Sequence, residues 1–219
     1  MNGIESKAFA RVGLLGNPSD MYGGKGISCT IDKGVDLSLN ESDGLVLHSN
    51  YEGTEKNNTH YNGRHDLVKA CINFLELQNQ NFEITYNSCI PRESGLAGSS
   101  AIIIAALRAM HQFFEIKLSK SDVAEIAMKI ETSELGIACG PQDRYAISFQ
   151  GVNFMDFSGK EFQKDSDPFA RLEPIDVKEI PFFIACSGLS KKSALVHNSL
   201  RNRFLRGEYW IKEEMDKAA

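Results

Sequence analysis

A run of small residues between Pro91 and Ala101, with the pattern Gly-Leu-Ala-Gly-Ser-Ser, has the residue types and spacing of an anion-binding turn. It lies between a segment of strand-like alternation and an apolar segment of helical length. A glycine- and serine-rich turn that opens a helix presents backbone N–H groups at the positive end of the helix dipole, where phosphate binds. The hydroxyls of Ser99 and Ser100 can cap that helix or reach a phosphate or its metal ion. The alternative is a Ser-capped buried helix after a flexible turn.

Carboxylates cluster in a second stretch, where a helix is predicted to end near Gly136. Glu131 and Glu134 lie at the end of that helix, and a Gly-Pro loop follows and leads to Asp143. Carboxylates in such positions suit a metal ligand and a proton acceptor. They also fit a structural interpretation, because Glu131 and Glu134 are spaced as on a solvated helix face, and Asp143 and Arg144 as in a surface ion pair.

A third polar segment, Gly16-Asn17-Pro18-Ser19-Asp20, follows the first predicted strand. These residue types form good turns. The side chains of Asn17 and Asp20 can equally hydrogen-bond to sugar hydroxyls. The segment is therefore either a structural turn or part of a carbohydrate site.

The elements that must position these residues follow from hydrophobic spacing and turn signals. Mixed strands, helices and hairpins, rather than strict alternation, predict an α+β fold. The predicted strands are Phe9–Leu15, Ile27–Ile31, Val35–Leu39, Gly44–His48, Asn81–Cys89, Tyr145–Phe149, Val152–Phe157 and Ile180–Cys186. The predicted helices are Asp66–Leu77, Ser99–Phe114, Ser119–Glu134 and Ser193–Glu214.

Composition narrows the class of protein. The chain has 219 residues, of which 42% are apolar, and a net charge of −5, which predicts a globular protein without a nucleic-acid-binding surface. Its longest apolar run is too short to span a bilayer, and the N-terminus lacks an apolar signal core. Five scattered cysteines without zinc spacing predict thiols of a reducing compartment. We therefore expect a cytoplasmic protein with no nucleic-acid or membrane partner.

Together, three segments resemble the motifs of the GHMP superfamily of small-molecule kinases. Pro91–Ala101 resembles the superfamily's phosphate loop with one extra residue, and Ala10–Asp20 resembles its N-terminal motif. With the Gly-Pro-Gln-Asp-Arg sequence at Gly140–Arg144, this form is most similar to the glucuronokinase branch. The resemblance extends from about Ala8 to about Met215. It implies the ribosomal protein S5 domain 2-like fold of a GHMP kinase N-terminal domain, followed by the start of a C-terminal α/β domain.

The resemblance also implies an activity. Such a protein would be an ATP-dependent, Mg²⁺-assisted kinase that transfers the γ-phosphate to a hydroxyl of a sugar or sugar acid. The anomeric hydroxyl of glucuronate is the first candidate acceptor. Arabinose, fucose, a heptose phosphate and an amino sugar are alternative acceptors, and a catalytically silent nucleotide- or sugar-binding protein is an alternative of another class.

Residue roles are likewise implied by the resemblance. Asp143 would take the proton from the acceptor hydroxyl, and Arg11 would hold Asp143 ionised and help neutralise the moving phosphoryl group. Ser100 and Glu131 would be the metal ligands, with Glu134 as the alternative to Glu131. The expected ATP contacts are Pro91, Gly95, Leu96, Ala97, Gly98, Ser99, Ser100 and Ala101.

The acceptor would be bound by Asn17, Asp20 and Arg144. Because a substrate carboxylate would need a cation, Lys25 and Arg92 are alternatives to Arg144 for that contact.

The expected domains are residues 1–174, an ATP-binding domain, and residues 175–219, the beginning of a second domain. The superfamily's third, Gly-rich motif is not found before Ala219. We therefore expect a fragment, an unusually short protein or half of a split enzyme. Since an incomplete second domain would expose apolar surface, a homodimer or association with a C-terminal half is expected.

Overall fold

The computed structural model describes residues 3–160, 168–177, 180–185, 200, 202–204 and 206–218. Its described strands form one sheet whose order is β4-β3-β5-β2-β6-β7, with β1 paired to β2. The strands are β1 (Ile4–Leu15), β2 (Lys25–Glu41), β3 (Val46–Ser49), β4 (Gly53–Lys56), β5 (Phe82–Ser88), β6 (Val152–Asp156) and β7 (Arg171–Pro174).

Five α-helices are found among the described residues. They are α1 (Asp66–Phe74), α2 (Gly98–Phe113), α3 (Lys120–Lys129), α4 (Gln142–Phe149) and α5 (Trp210–Ala218). A 3₁₀ turn covers Ser19–Tyr22, and a π-helical turn, Ile130–Glu134, continues α3. In the described part of the chain, no helix has both the length and the apolar character needed to cross a bilayer.

The 17-residue strand β2 organises the sheet. It pairs antiparallel with β1 along one edge, and with β5 and then β6 along the other. The β1–β2 register is interrupted between Phe9 and Arg11, where Phe9 faces Gly34 and Arg11 faces Thr30. The extra residues belong to β2, where residues 31–33 lie opposite Ala10 of β1. Such a bulge bends the strand that carries it.

Helix α2 is the centre of the core. Its residues from Ala101 to Phe113 are mostly buried, and the helix packs on β1 and β2 and against α1, α3 and α4. The alternating residues Phe82, Ile84 and Tyr86 of β5 also point into the buried interior. The mixed sheet with packed helices agrees with the predicted α+β class.

One strand prediction is wrong, and two others describe parts of one strand. Tyr145–Phe149 is the second half of helix α4, not a strand. Gln150-Gly151, before the predicted strand Val152–Phe157, indicated a hairpin, whereas it follows a short helix that is covered by neighbours on several sides. Pro141 before the first turn is a helix boundary signal, and Gln150 ends the helix with a positive φ. The predicted strands Ile27–Ile31 and Val35–Leu39 are one continuous strand, β2.

The C-terminal predictions differ as well. Residues 180–185 of the predicted strand Ile180–Cys186 form no strand, and Phe183 is fully exposed. Cys186 lies outside the described residues, as do residues 193–199, 201 and 205 of the predicted helix Ser193–Glu214. The described helix α5 begins at Trp210. The division of the chain at residue 174 remains a prediction.

Candidate active site

The predicted site residues converge on one cavity of about 700 Å³. Its wall is built from the loop before α2, strand β1, the turn at Ser19–Tyr22, the β3–β4 connection, the π-helical turn and the start of α4. The lining residues that the sequence had singled out are Arg11, Asn17, Asp20, Pro91, Arg92, Gly95, Leu96, Ala97, Gly98, Ser99, Glu131, Asp143 and Arg144.

The loop before α2 leaves the first turn of the helix open to an anion. Helix α2 begins at Gly98, and Ala97 at its N-cap has a left-handed backbone with φ of 61° and no side-chain capping bond. Gly95 also has a positive φ, 74°, which glycine adopts at little cost. The N–H groups of this first turn are therefore directed at the cavity without a side-chain acceptor, as in phosphate-binding loops.

The two serines of the loop bind a carboxylate instead of capping the helix. Ser99 Oγ donates to Glu131 Oε1 at 2.8 Å, and Ser100 Oγ donates to Glu131 Oε2 at 3.1 Å. Ser99 lines the cavity, whereas Ser100 is completely buried and Ala101 lies behind it in the core. The sequence-based expectation of a Ser-capped helix is therefore wrong, because the hydroxyls have a long-range partner.

Glu131 is placed by the π-helical turn and has an arginine as its main partner. It is 0% exposed, and its Oε2 accepts hydrogen bonds from Arg144 Nε, at 2.5 Å, and from Arg144 Nη2. Arg144 Nη1 also donates to the Gly140 carbonyl at 2.6 Å. Burial alone would lower the pKa of Arg144, but the Glu131 carboxylate raises it above its usual value. The pair links the loop before α2 to α4.

Asp143, in the first turn of α4, forms an ion pair with Arg11 of β1 in the wall of the cavity. Arg11 donates to Asp143 Oδ1 from Nε at 2.8 Å and from Nη2 at 2.5 Å. Its remaining Nη1 donates to the Gly95 carbonyl at 2.9 Å, and its backbone N–H donates to the Leu96 carbonyl at 3.3 Å. One residue of β1 therefore fixes Asp143 relative to the anion-binding loop. The Asp143 side chain remains 25% exposed.

Asp20 lies in the same wall and is 6% exposed. Burial, assisted by the nearby Asp143 charge, raises the pKa of Asp20 to about 6, against the opposing effect of the Gln142 N–H group. That N–H group donates to Asp20 Oδ2 at 3.1 Å. A Cβ at Gly140 would lie only 2.1 Å from Asp20 Oδ2, so the loop can pass this close only with glycine there.

The residues proposed as alternatives for the metal and for the substrate carboxylate differ in whether they line the cavity. Glu134 is exposed and accepts a hydrogen bond from Tyr61 outside the cavity, whereas Glu131 lines it. Lys25 is half-exposed, lies 3.7 Å from Asp156 and does not line the cavity. Arg92 lines it, with its Nη2 3.2 Å from Glu52 Oε1. Arg144 lines it too, but its guanidinium is held by Glu131 and Gly140.

One end of the cavity was missed by the sequence analysis. There Glu52 Oε2 accepts hydrogen bonds from the His65 N–H group at 2.6 Å and from the Tyr86 hydroxyl at 2.9 Å. Burial and the nearby Glu52 raise the pKa of Tyr86, so its hydroxyl stays protonated. The Arg92 guanidinium lies 5.6 Å from the centre of the Tyr51 ring. No local signal marks this group, because its members come from a polar turn, a helix start, a strand and the loop before α2.

The oxygen ligands in the cavity fit a magnesium ion that is shared with phosphates. The described residues contain no group of three or more His, Cys, Asp or Glu side chains that could hold a metal alone. Mg²⁺ commonly takes one or two protein oxygens and completes its shell with phosphates and water. Glu131 Oε1 and the Ser99 hydroxyl that donates to it are oxygens of that kind, and the buried Ser100 hydroxyl holds Glu131 from behind through Oε2. The donor set therefore suits Mg²⁺.

Known proteins are similar to this chain in sequence. The family model described as the GHMP kinases N terminal domain matches residues 66–151. Glucuronokinase 1 of Arabidopsis thaliana is 33% identical over 97% of this chain and 65% of its own length. The D-glycero-alpha-D-manno-heptose 7-phosphate kinase of Campylobacter jejuni is 29% identical over 72% of this chain and 51% of its own length.

A solved structure extends the similarity in fold. The structure of Lactococcus lactis galactokinase complexed with galactose matches this fold with a TM-score of 0.70. The match covers 94% of this chain and 58% of the galactokinase chain, at 17% sequence identity. The predicted fold class is thereby confirmed. The chain spans just under two thirds of the length of the curated glucuronokinases that it matches, at 65% and 66%.

Proposed function

This chain belongs to the GHMP kinase superfamily and carries its N-terminal domain, and we propose that it is an ATP-dependent sugar kinase. It transfers the γ-phosphate to a hydroxyl of a sugar or sugar acid, with the anomeric hydroxyl of glucuronate as the first candidate. The observation that carries the proposal is the Arg11 side chain, which joins Asp143 to the loop before α2 within one cavity. A proton acceptor and a phosphate cradle are thereby held in a fixed relation.

The phosphates of ATP bind at the start of α2, where uncapped N–H groups and the helix dipole favour negative charge. Preorganised donors of this kind stabilise the charge that spreads over the transferring phosphoryl group. The cavity end that contains Tyr51, Glu52 and Tyr86 is then left for the nucleoside. Its carboxylate can accept hydrogen bonds, and its aromatic rings offer apolar surface.

The acceptor sugar binds at the other end, near Asn17, Asp20 and Asp143. Asp143 accepts the proton of the attacking hydroxyl as transfer proceeds, and Arg11 keeps Asp143 ionised and in place. A carboxylate serves as base only when it is within hydrogen-bond reach of that hydroxyl. Bound Mg²⁺ would neutralise part of the phosphate charge, and Glu131, Ser99 and Ser100 are the residues that would hold it.

The arginine side chains of the cavity bear on whether the acceptor is a sugar acid or a neutral sugar. Arg11, Arg92 and Arg144 line the cavity, and each lies within 3.2 Å of a carboxylate. A glucuronate carboxylate would have to share one of them, and Arg92, with a 70% exposed side chain, is the most accessible. The glucuronokinase relatives support the sugar acid, whereas the pairing of all three arginines favours a neutral sugar.

A second candidate is a nucleotide-binding protein without catalysis. It is favoured by the Glu131–Arg144 ion pair, since an arginine on the expected metal ligand reduces the attraction of that carboxylate for Mg²⁺.

An ADP-release assay across a sugar panel tests the proposal. The panel contains glucuronate, glucose, arabinose, fucose and a heptose phosphate, and ATP binding is measured separately by calorimetry. We expect turnover with at least one sugar and its loss in Asp143→Asn. ATP binding without turnover on any sugar, and without a difference between Asp143→Asn and the unmodified chain, would favour the silent binding protein.

A further inference from the structure

A second arginine, Arg108, joins the same three elements as Arg11, but behind the cavity. Arg108 lies on α2, and its Nη2 donates to the carbonyls of Ile147 at 2.9 Å and Ser148 at 3.0 Å, at the end of α4. Its Nη1 donates to the Lys7 carbonyl of β1 at 2.8 Å. One side chain therefore bridges α2, α4 and β1.

Each bridged element carries a group of the candidate site at its other end. Helix α2 begins at the anion-binding loop, α4 carries Asp143 in its first turn, and β1 contains Arg11. Ser100 is eight residues before Arg108 on α2, which is about 12 Å along a helix. Arg11 is four residues after Lys7, which is about 13 Å along a strand. The two arginines therefore hold the three elements together at two separated levels.

The chemistry of the bridge suits a positioning role. The last carbonyls of a helix have no partner within the helix and lie at the negative end of its dipole, where a guanidinium is favourable. In the part of the chain that the structure describes, the hydrogen bonds of Arg108 go only to backbone carbonyls. Since α4 has only eight residues, fixing its last turn also fixes the direction of its first turn.

We propose that Arg108 is a positioning residue, which sets the angle of α4 on α2 and β1 and thereby places Asp143 against the phosphate-binding loop. This inference rests on the proposed kinase function for its kinetic consequence, but its structural consequence can be measured without turnover. Because Arg108 does not line the cavity, its loss should impair the chemical step more than the binding of either substrate.

The test uses Arg108→Met, which keeps the volume and removes the donors, and Arg108→Lys, which keeps the charge. The control is Phe82→Leu, at the end of β5 farthest from the phosphate-binding loop, where Phe82 packs on Phe114. We expect kcat of Arg108→Met to fall about tenfold or more, with KM for ATP and sugar changed less than about threefold. Arg108→Lys should be intermediate, and Phe82→Leu should keep kcat within about twofold at a comparable loss of Tm.

Amide hydrogen exchange in the first turn of α4 tests the structural consequence without requiring kinase activity. The amides of Arg144 and Tyr145 donate to the Pro141 carbonyl in the first turn of α4. In Arg108→Met they should exchange at least about tenfold faster, and in Phe82→Leu they should be unchanged. If Arg108→Met does not fold, Arg108→Lys is compared with Phe82→Leu in the same way.

Unaltered exchange at Arg144 and Tyr145, or a kcat loss equal to that of Phe82→Leu, would overturn the proposal. If the unmodified chain shows no turnover on any sugar, the proposed kinase function fails, and the exchange data alone decide whether Arg108 positions α4.

Discussion

Asp143 and Glu131 are two arginine-bound carboxylates of one cavity, but they are held in opposite ways. Glu131 is 0% exposed and accepts hydrogen bonds from Ser99, Ser100 and Arg144. The Asp143 side chain is 25% exposed; its Oδ1 accepts from Arg11, and its Oδ2 lies 3.9 Å from Arg144 Nη1. A carboxylate that must exchange a proton needs access to a substrate. A carboxylate that holds a loop does not.

The contrast assigns different physical tasks to the two ion pairs. Breaking a buried pair by removing one partner leaves an uncompensated charge and is strongly destabilising. The Arg11–Asp143 pair is less buried, with side chains 9% and 25% exposed, so losing its negative charge should cost less than losing that of Glu131. Changes at Glu131 should therefore reduce stability and activity together, whereas changes at Asp143 should reduce activity with a smaller loss of stability.

Asp143→Asn should give the largest effect on activity. An amide cannot accept the proton of the acceptor hydroxyl, so kcat should fall by about 10²- to 10⁴-fold, the usual contribution of general base catalysis. Tm should fall less than in Glu131→Gln, because the Asp143 side chain is 25% exposed and an amide oxygen can still accept from Arg11. Kinetics and thermal unfolding of the same preparation check both statements. A large loss of Tm would show that the two pairs do not differ in task.

Glu131→Gln should have the largest effect on stability. It removes the main counter-charge of the buried Arg144 guanidinium, leaving only the more distant Asp143 Oδ2 at 3.9 Å, and the free energy of unfolding should fall by about 3–5 kcal/mol. Urea denaturation measures this difference. Thr132→Ser, at a half-buried position of the same π-helical turn, keeps the hydroxyl that donates to the Met128 carbonyl and is the control, which should stay within about 0.5 kcal/mol. If Glu131→Gln were as stable as this control, the buried pair would not hold the loop.

Asp20→Asn should have a smaller effect that depends on pH. The folded-state pKa of about 6 exceeds the ordinary value of 3.8, so the folded state binds this proton more tightly than the unfolded state. Its contribution to stability is fully present below pH 3.8 and is lost as the pH rises through 6. The variant removes this loss and should gain up to about 3 kcal/mol relative to the unmodified chain at pH 8.

At pH 3.5 the same comparison should show no gain for Asp20→Asn, since Asp20 is then protonated in both folded and unfolded chains. Urea denaturation at the two pH values separates the cases. An equal difference at both would mean that burial of the Asp20 charge is not the cause.

The sequence analysis identified the anion-binding loop and its neighbours but missed the group around Glu52. The anion-binding loop, Arg11, Asp20 and Asp143 could be predicted because each stands in a short motif. The Ser99–Glu131 bond joins residues 32 positions apart, and no local pattern reports such a contact. The group around Glu52 was missed for the same reason, since Tyr86 is 34 positions away.

Secondary structure shows the same limit. Helix α4 was mistaken for a strand because eight residues are too few to establish a helical period when most of them are buried. Pro141, just before the first turn, was a helix-start signal in the sequence, whereas the positive φ of Gln150 is seen only in the structure.

The bulge between Phe9 and Arg11 constrains how this chain can change in length during evolution. Three residues of β2, from Ile31 to Lys33, lie opposite the single residue Ala10 of β1. The side-chain period of a strand is two, so one residue inserted in β1 before Arg11 would turn its side chain to the opposite face of the sheet. Insertions should therefore be tolerated in the exposed connections around β3 and β4 but selected against here, unless a second insertion restores the register.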